Sequence, residues 1–306
     1  MPIAVTLIAA KSDKNFSSFA DDCAAELARR GFPVAERAEL CPHQAHDLLL
    51  ETDAETAVRD IVDGLIADRP VDALVQDASR RRKRFLVADM ESTIIEQEML
   101  DEMADAIGCR AHVAEITRRA MNGEIDFSAA IRERVALFAG QPAALLEQMA
   151  ERITIMPGAR ALVTTMRRHG GTCWLVSGGF RCFTGLIASR LGFDAHFGND
   201  LEIEDGKITG KVAEPILDKN AKLLLYRQGM EQLGIAPGEA ITVGDGANDL
   251  PMIEACAADG GLGIAFHAKP AVAAKAAHRV AHGDLTALLY AQGYRVEEFA
   301  QEFAAK

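Results

Sequence analysis

Apolar positions along this chain switch between short continuous runs and a helical spacing of every three or four residues. A run of about 4–8 apolar residues bounded by turn formers predicts a buried strand, and the helical spacing predicts an amphipathic helix. By that rule residues 4–10, 34–40, 45–51 and 71–78 are predicted strands, and residues 16–30 and 52–67 are predicted helices. Further on the strands become wholly apolar: FLVAD from Phe85, CWLVSG from Cys173, AITVGD from Ala240 and GLGIAF from Gly261, with helical spacing over 221–233 and 251–258. Strands without polar alternation, separated by helices, belong in a mainly parallel sheet covered on both faces. LEIEDGKITGKV, from Leu201, breaks this texture, because a DG pair between alternating strands predicts an antiparallel hairpin.

The first six elements run βαββαβ, the order of a ferredoxin-like layer, so residues 1–80 are read as a small α+β domain. Residues 81–306 are read as a larger α/β domain with a Rossmann-like parallel sheet. Between residues 98 and about 152 the spacing stays helical throughout. That is too long for a simple crossover, and it predicts a helical cap inserted over the carboxyl ends of the strands. SRRRKR, at residues 79–84, is read as a solvated hinge between the two domains, with a basic binding patch as the alternative.

Composition narrows the function. With 306 residues, 49% of them hydrophobic, the chain has ample material for a core. A formal charge of −12 disfavours a nucleic-acid partner, though a local positive site can still draw in a small anion. The six cysteines form no CxxC and no dense framework, which fits free thiols in a reducing compartment. No apolar stretch approaches the roughly 18 residues of a membrane span, and the first residues lack the basic region of a secretion signal. The expectation is a soluble cytoplasmic protein.

Three of the predicted strands end in polar groups: Asp89 and Glu91, then Ser177 with Gly178 and Gly179, then Asp245 with Gly246, Asn248 and Asp249. Each group alone has a plainer reading. Thr93 with Glu96 three places on spells a helix capping box, VSGGF a glycine turn, and VGDGANDLPM a capped loop. At one edge of an open α/β sheet, however, they converge on the active crevice. Carboxylates brought together from separate strands repel unless a cation neutralises them, and hard oxygen ligands favour Mg²⁺. An uncoordinated carboxylate oxygen nearby can attack a phosphoryl group to give an aspartyl-phosphate. Ser177 and the amide after it can hold the phosphoryl oxygens. Their charge calls for a lysine, and Lys222, in LDKNAKLLLY, begins a helix in the right region.

VADMEST, VSGGF, DKNAK and VGDGANDLPM resemble the four ordered motifs of the haloacid-dehalogenase-like phosphatases. STIIEQEMLDEMAD and SAAIRERVALFAG resemble the phosphoserine phosphatases among them. The likeness runs from about Phe85 to Gly293. It implies that Asp89 is the nucleophile and that Glu91 is the general acid/base, lending its backbone carbonyl to Mg²⁺. Asp245 is then a further metal ligand and Asp249 a support of the metal site. Ser177 and Gly178 contact phosphate, Lys222 orients nucleophile and phosphate, and Asn248 lies at the substrate. Glu98 matches the position that receives the substrate ammonium and Arg134 the one that receives its carboxylate. Met121, Phe127 and Phe138 on the cap are read as packing. The implied reaction is hydrolysis of O-phospho-L-serine to L-serine and phosphate, the last step of serine biosynthesis.

The chain departs from that pattern at one place, reading DMEST where phosphoserine phosphatases ordinarily read DxDST. A branch of the superfamily with Glu here passes the phosphoryl group to homoserine, so a phosphoserine:homoserine phosphotransferase is the alternative. The front domain resembles the ACT family of small-molecule sensors in its element order, which implies an effector or a homodimer contact.

Overall fold

The structure is a computed structural model describing residues 2–121 and 124–300. Strands β1 (Pro2–Ala9), β2 (Val34–Cys41), β3 (Ala45–Glu51) and β4 (Val71–Asp77) form an antiparallel sheet in the order β2-β3-β1-β4. Alternate side chains of a strand point to opposite faces. Ile3, Val5 and Leu7 on β1 therefore pack with Phe16, Cys23 and Leu27 of α1 (Phe16–Arg29) and Val58 and Val62 of α2 (Glu55–Ile66). The other face carries Ile8, Ala45 and Leu74, which join the principal core. The expected ferredoxin-like layer is borne out.

After it come β5 (Phe85–Ala88), the cap helices α3 (Met99–Ala106), α4 (Arg110–Met121), α5 (Phe127–Ala136) and α6 (Ala144–Glu151), then α7 (Ala159–Arg168), β6 (Thr172–Phe180), α8 (Arg181–Leu191) and β7 (Ala195–Asn199). The hairpin β8 (Leu201–Glu204) and β9 (Lys207–Val212) follows, its turn held by positive φ at Asp205 and Gly206. Then come α9 (Lys219–Gln232), β10 (Ala240–Gly244), α10 (Leu250–Ala258), β11 (Leu262–Phe266), α11 (Pro270–Ala273), β12 (His278–Val280), α12 (Ala287–Ala291) and a short 3₁₀ turn at Val296–Glu298. The six remaining strands pair in parallel in the order β12-β11-β10-β5-β6-β7. The Rossmann-like sheet with an inserted helical cap is thus present. Successive strands after β5 build to one side and those from β10 to the other, so the order reverses between β5 and β10, where the crevice opens.

Two local readings need correction. Thr93 and Glu96 cap no helix: residues 91–94 form turns, the Thr93 hydroxyl is buried with no partner among the described residues, and α3 starts at Met99. The reason is tertiary, because Ile94 and Ile95 are bonded to Met90 O, and Glu96 N and Met156 N pair the two linkers of the cap through Thr154 O and Ile94 O. VSGGF is not a turn either, since β6 continues to Phe180 with a register shift against β7 between Val176 and Phe180.

SRRRKR is not a solvated hinge. Arg81 binds both carboxylate oxygens of buried Asp47, at 2.6 and 2.9 Å, and also reaches Ala291 O. Lys83 is buried and its ammonium donates to Arg80 O and Gly238 O, each at 2.8 Å. Arg82 pairs with Glu298 and lies over the Tyr294 ring. Alongside, Asp72 accepts the backbone N–H groups of Ala281, His282 and Gly283, and Gln76 donates to Ala291 O. The segment is the centre of a bonded seam between the two sheets.

Candidate active site

Asp89 follows β5, and its amide bonds to Val243 O at 3.0 Å, so the backbone ladder to β10 carries the residue into the crevice. Its Oδ1 accepts from Met90 N at 2.8 Å and from the Lys222 ammonium at 2.7 Å. Lys222, in the first turn of α9, is buried and also donates to Asp249 Oδ1 at 2.6 Å. Asp249 Oδ2 accepts Gly246 N at 2.9 Å, so both its oxygens are engaged. A side chain at Gly244 would overlap that carboxylate, which explains the glycine. Asp89, Asp245 and Asp249 each offer an oxygen within 4.8 Å of the others.

Three carboxylates face one ammonium, and the imbalance shows in their acidities. Burial, then the Asp249 charge, holds Asp89 well above the usual carboxylate range. Burial together with Asp249 and Glu98 pushes Asp245 up to about 6. For Lys222 burial works the other way, but Asp249 and Asp89 outweigh it and raise the ammonium above its ordinary value. Among the described residues no donor bonds Asp89 Oδ2 or the Asp245 carboxylate. Oxygen donors in excess of positive charge suit a hard cation.

Ser177 is buried on the register shift of β6, and its Oγ accepts from Gly179 N at 2.9 Å. Glu91 reaches across to the cap, where its Oε1 accepts from Met99 N, the first residue of α3, at 2.9 Å. Its other oxygen lies so close to Gly179 that a Cβ there would stand 2.7 Å away. Burial, with the Glu98 charge next, pushes Glu91 up to about 8. Glu98 is exposed at the rim and accepts from Ser92 Oγ at 2.8 Å. Arg134, half-buried on α5, donates to Ala130 O, and among the described residues no carboxylate comes within ion-pair distance of it. The charges that act on it are Glu91, Asp101 and Glu98, while burial, the largest influence, lowers its guanidinium from the ordinary value. Asn248 sits half-buried at the rim with its amide oxygen against Gly246.

Of the cap residues read as packing, Phe138 is fully buried and Met121 has a side chain outside the described residues. Phe127 is different. A Cβ on Gly178 would stand 3.2 Å from its ring, so it roofs the Ser177–Gly179 segment, and its place at the start of α5 just ahead of Arg134 was the available signal. Gly179 was read as a turn residue, whereas it is the floor on which Glu91 rests. A cavity of about 920 Å³ on α7, lined by Arg160, Arg167 and Arg168 among others, shares no residue with this cluster. The acid-rich strand ends, and not that hollow, carry the chemistry.

Residues 86–254 match the haloacid dehalogenase-like hydrolase family model, and the chain belongs to that family. Within it the similarity is to phosphoserine phosphatases. A phosphoserine phosphatase of Mycobacterium tuberculosis is 41% identical over 74% of this chain and 55% of its own length. One of Lactococcus lactis is 39% identical over 68% of this chain and 94% of its own. The chain spans about half the length of the first curated relatives it matches. Among solved structures, a haloacid dehalogenase family hydrolase of Salmonella enterica serovar Typhi superposes with a TM-score of 0.83 at 28% identity, covering 94% of this chain and 97% of that one. A phospho-aspartyl intermediate analogue of phosphoserine phosphatase superposes at 0.62 with 35% identity, covering 68% of this chain and 98% of that one.

Proposed function

We propose that the protein hydrolyses O-phospho-L-serine with Mg²⁺, through an aspartyl-phosphate on Asp89. The carrying observation is the unanswered charge at the strand ends, with three carboxylates around Lys222. Asp89 and Asp245, with the Glu91 backbone carbonyl, are the groups that would hold the ion, and Asp249 steadies them through Lys222 and Gly246. The ion would draw nucleophile and phosphoryl oxygens together and offset their charge.

Asp89 attacks phosphorus while Ser177, the amide of Gly178 and Lys222 receive the phosphoryl oxygens. Burial, which pushes Glu91 up to about 8, favours its protonated form, and the carboxyl gives that proton to the departing serine alkoxide. The same carboxylate then takes a proton from the water that opens the phosphoenzyme. Glu98 receives the substrate ammonium and Arg134, which has no carboxylate partner among the described residues, the substrate carboxylate; Asn248 closes the site.

Phosphate release measured over phosphoserine, phosphothreonine and sugar phosphates tests this. Phosphoserine should lead, and Arg134→Ala should raise its KM by about thirtyfold or more while sparing an ester without a carboxylate. A sugar phosphate turned over faster, or equal loss on both esters, would sink the reading. The second reading, transfer to homoserine, is favoured by Glu91 itself, whose longer side chain carries the carboxyl to the start of α3. Homoserine phosphorylated faster than water is consumed decides for it.

Support for an ACT-like role of the N-terminal unit, in binding an effector or pairing two copies, is its element order. Its inner face is covered, so either role falls to α1, α2 or the open edge of β2. No helix among the described residues is long and apolar enough to cross a membrane.

A further inference from the structure

We infer that Asn199 is a positioning residue that sets the phosphate site by tying its two walls together. Asn199 closes β7, the edge strand beside β6, and is 2% exposed. Its Nδ2 donates to Gly178 O at 2.7 Å and its Oδ1 accepts Leu217 N at 2.7 Å. Gly178 lies in the segment that presents Ser177. Leu217 precedes Asp218, which caps α9 through Asn220 N and Ala221 N and so starts the helix that presents Lys222. Between them the chain leaves the sheet to build the β8–β9 hairpin, and one carboxamide bridges the ends of that excursion.

The bond to Gly178 also orients a peptide group. The Gly178 carbonyl and the Gly179 N–H belong to one planar unit. Asn199 holds its oxygen and Ser177 Oγ accepts its N–H at 2.9 Å. With an N–H already directed at its oxygen, Ser177 has its hydroxyl hydrogen left to give to a phosphoryl oxygen. Release of the carbonyl lets the peptide rotate, and the hydroxyl loses its fixed direction. Only a carboxamide supplies a donor and an acceptor at this reach; aspartate keeps the acceptor for Leu217 and has nothing to donate to Gly178.

The inference rests on the reading of Ser177 and Lys222 as phosphate groups, and the test is built to separate the two. Inorganic phosphate binding to the full chain with Mg²⁺ is titrated by calorimetry for the parent, Asn199→Asp and Asn199→Ala. Turnover of phosphoserine and of phenyl phosphate, and melting followed by circular dichroism, accompany it. Loss of a buried bond that leaves a carbonyl unpaired predicts phosphate binding weaker by about tenfold in Asn199→Asp, and at least as much in Asn199→Ala. kcat/KM should fall by the same factor on both esters, leaving their ratio unchanged. Phosphate binding within twofold of the parent in either folded variant, or a loss confined to phosphoserine, overturns the assignment. A parent that binds phosphate but spares phosphoserine would refute the substrate and leave the role of Asn199 to be judged by calorimetry.

Discussion

Arg81 at the seam and Lys222 in the cleft are both cations held by buried aspartate, yet their surroundings differ in one respect. Around Arg81 each charged group is bonded within the chain: Asp47 accepts two of its bonds, Asp72 accepts three backbone N–H groups and Lys83 donates to two carbonyls. Around Lys222 a single ammonium serves Asp89 and Asp249, and Asp245 has no donor among the described residues. Both clusters are buried and polar, so burial alone does not mark a functional site. What marks it is a deficit that folding leaves for something else to fill.

The sharpest break of this comparison is Asp89→Asn. An amide cannot form the acyl-phosphate, so phosphate release should fall by about 10⁴-fold or more. Stability in chelator should hold or rise, because one of three crowded negative charges is gone. A variant that keeps its turnover would remove Asp89 from the mechanism. One that unfolds would show that the cleft, like the seam, is held together by its charges.

Arg81→Met makes the opposite cut. It leaves the Asp47 carboxylate buried with the Thr6 hydroxyl, at 2.8 Å, as its remaining side-chain donor. Breaking one partner of a buried pair costs about 3–5 kcal/mol, which urea unfolding reads directly. Turnover of the folded protein at low temperature should stay within twofold of the parent. A loss of kcat without a loss of stability would mean that the seam feeds the cleft. The double change Asp47→Leu with Arg81→Met should recover most of the stability, because an apolar pair leaves no charge stranded.

The same contrast explains what the sequence did and did not disclose. VADMEST, VSGGF, DKNAK and VGDGANDLPM each close or follow an element, so the cleft could be assembled from strand ends. SRRRKR reads as solvated because its partners are far off in sequence: Asp47 is 34 residues away from Arg81, and Gly238 is 155 from Lys83. β7 escaped notice because most of it is only half-buried and it includes Gly198; β12 is three residues long. Missing β7 hid Asn199, a residue that no local pattern singles out. Thr93 with Glu96 failed for the converse reason, a good local pattern overruled by the pairing of the cap linkers.

The smallest expected effect, and the one that sets the clusters most directly against each other, is their response to acid. At the seam His278 Nε2 donates to Val75 O at 3.1 Å, and burial, with Arg59 beside it, lowers the imidazole to about 4. Between pH 6.5 and about 4 the unfolded chain binds a proton that the folded one refuses, so this group costs stability as pH falls, by about 3 kcal/mol over the window. Asp245 has the reverse sign. Its carboxyl, pushed up to about 6, lies above the ordinary aspartate value of 3.8, so the folded chain binds the extra proton, and a penalty of about 3 kcal/mol present above pH 6 is relieved as pH falls toward 3.8. Urea unfolding in chelator across this range, for the parent, His278→Gln and Asp245→Asn, separates them. The stability gained by His278→Gln over the parent should grow as pH falls, and that gained by Asp245→Asn should shrink. Excess Mg²⁺ should abolish the gain from Asp245→Asn, because a bound cation answers the carboxylate, and leave the gain from His278→Gln unaltered. Two difference curves of the same slope, or a Mg²⁺ effect shared by both variants, would mean that the seam and the cleft are one electrostatic unit and not a cluster whose ion pair is complete beside one with carboxylates in excess.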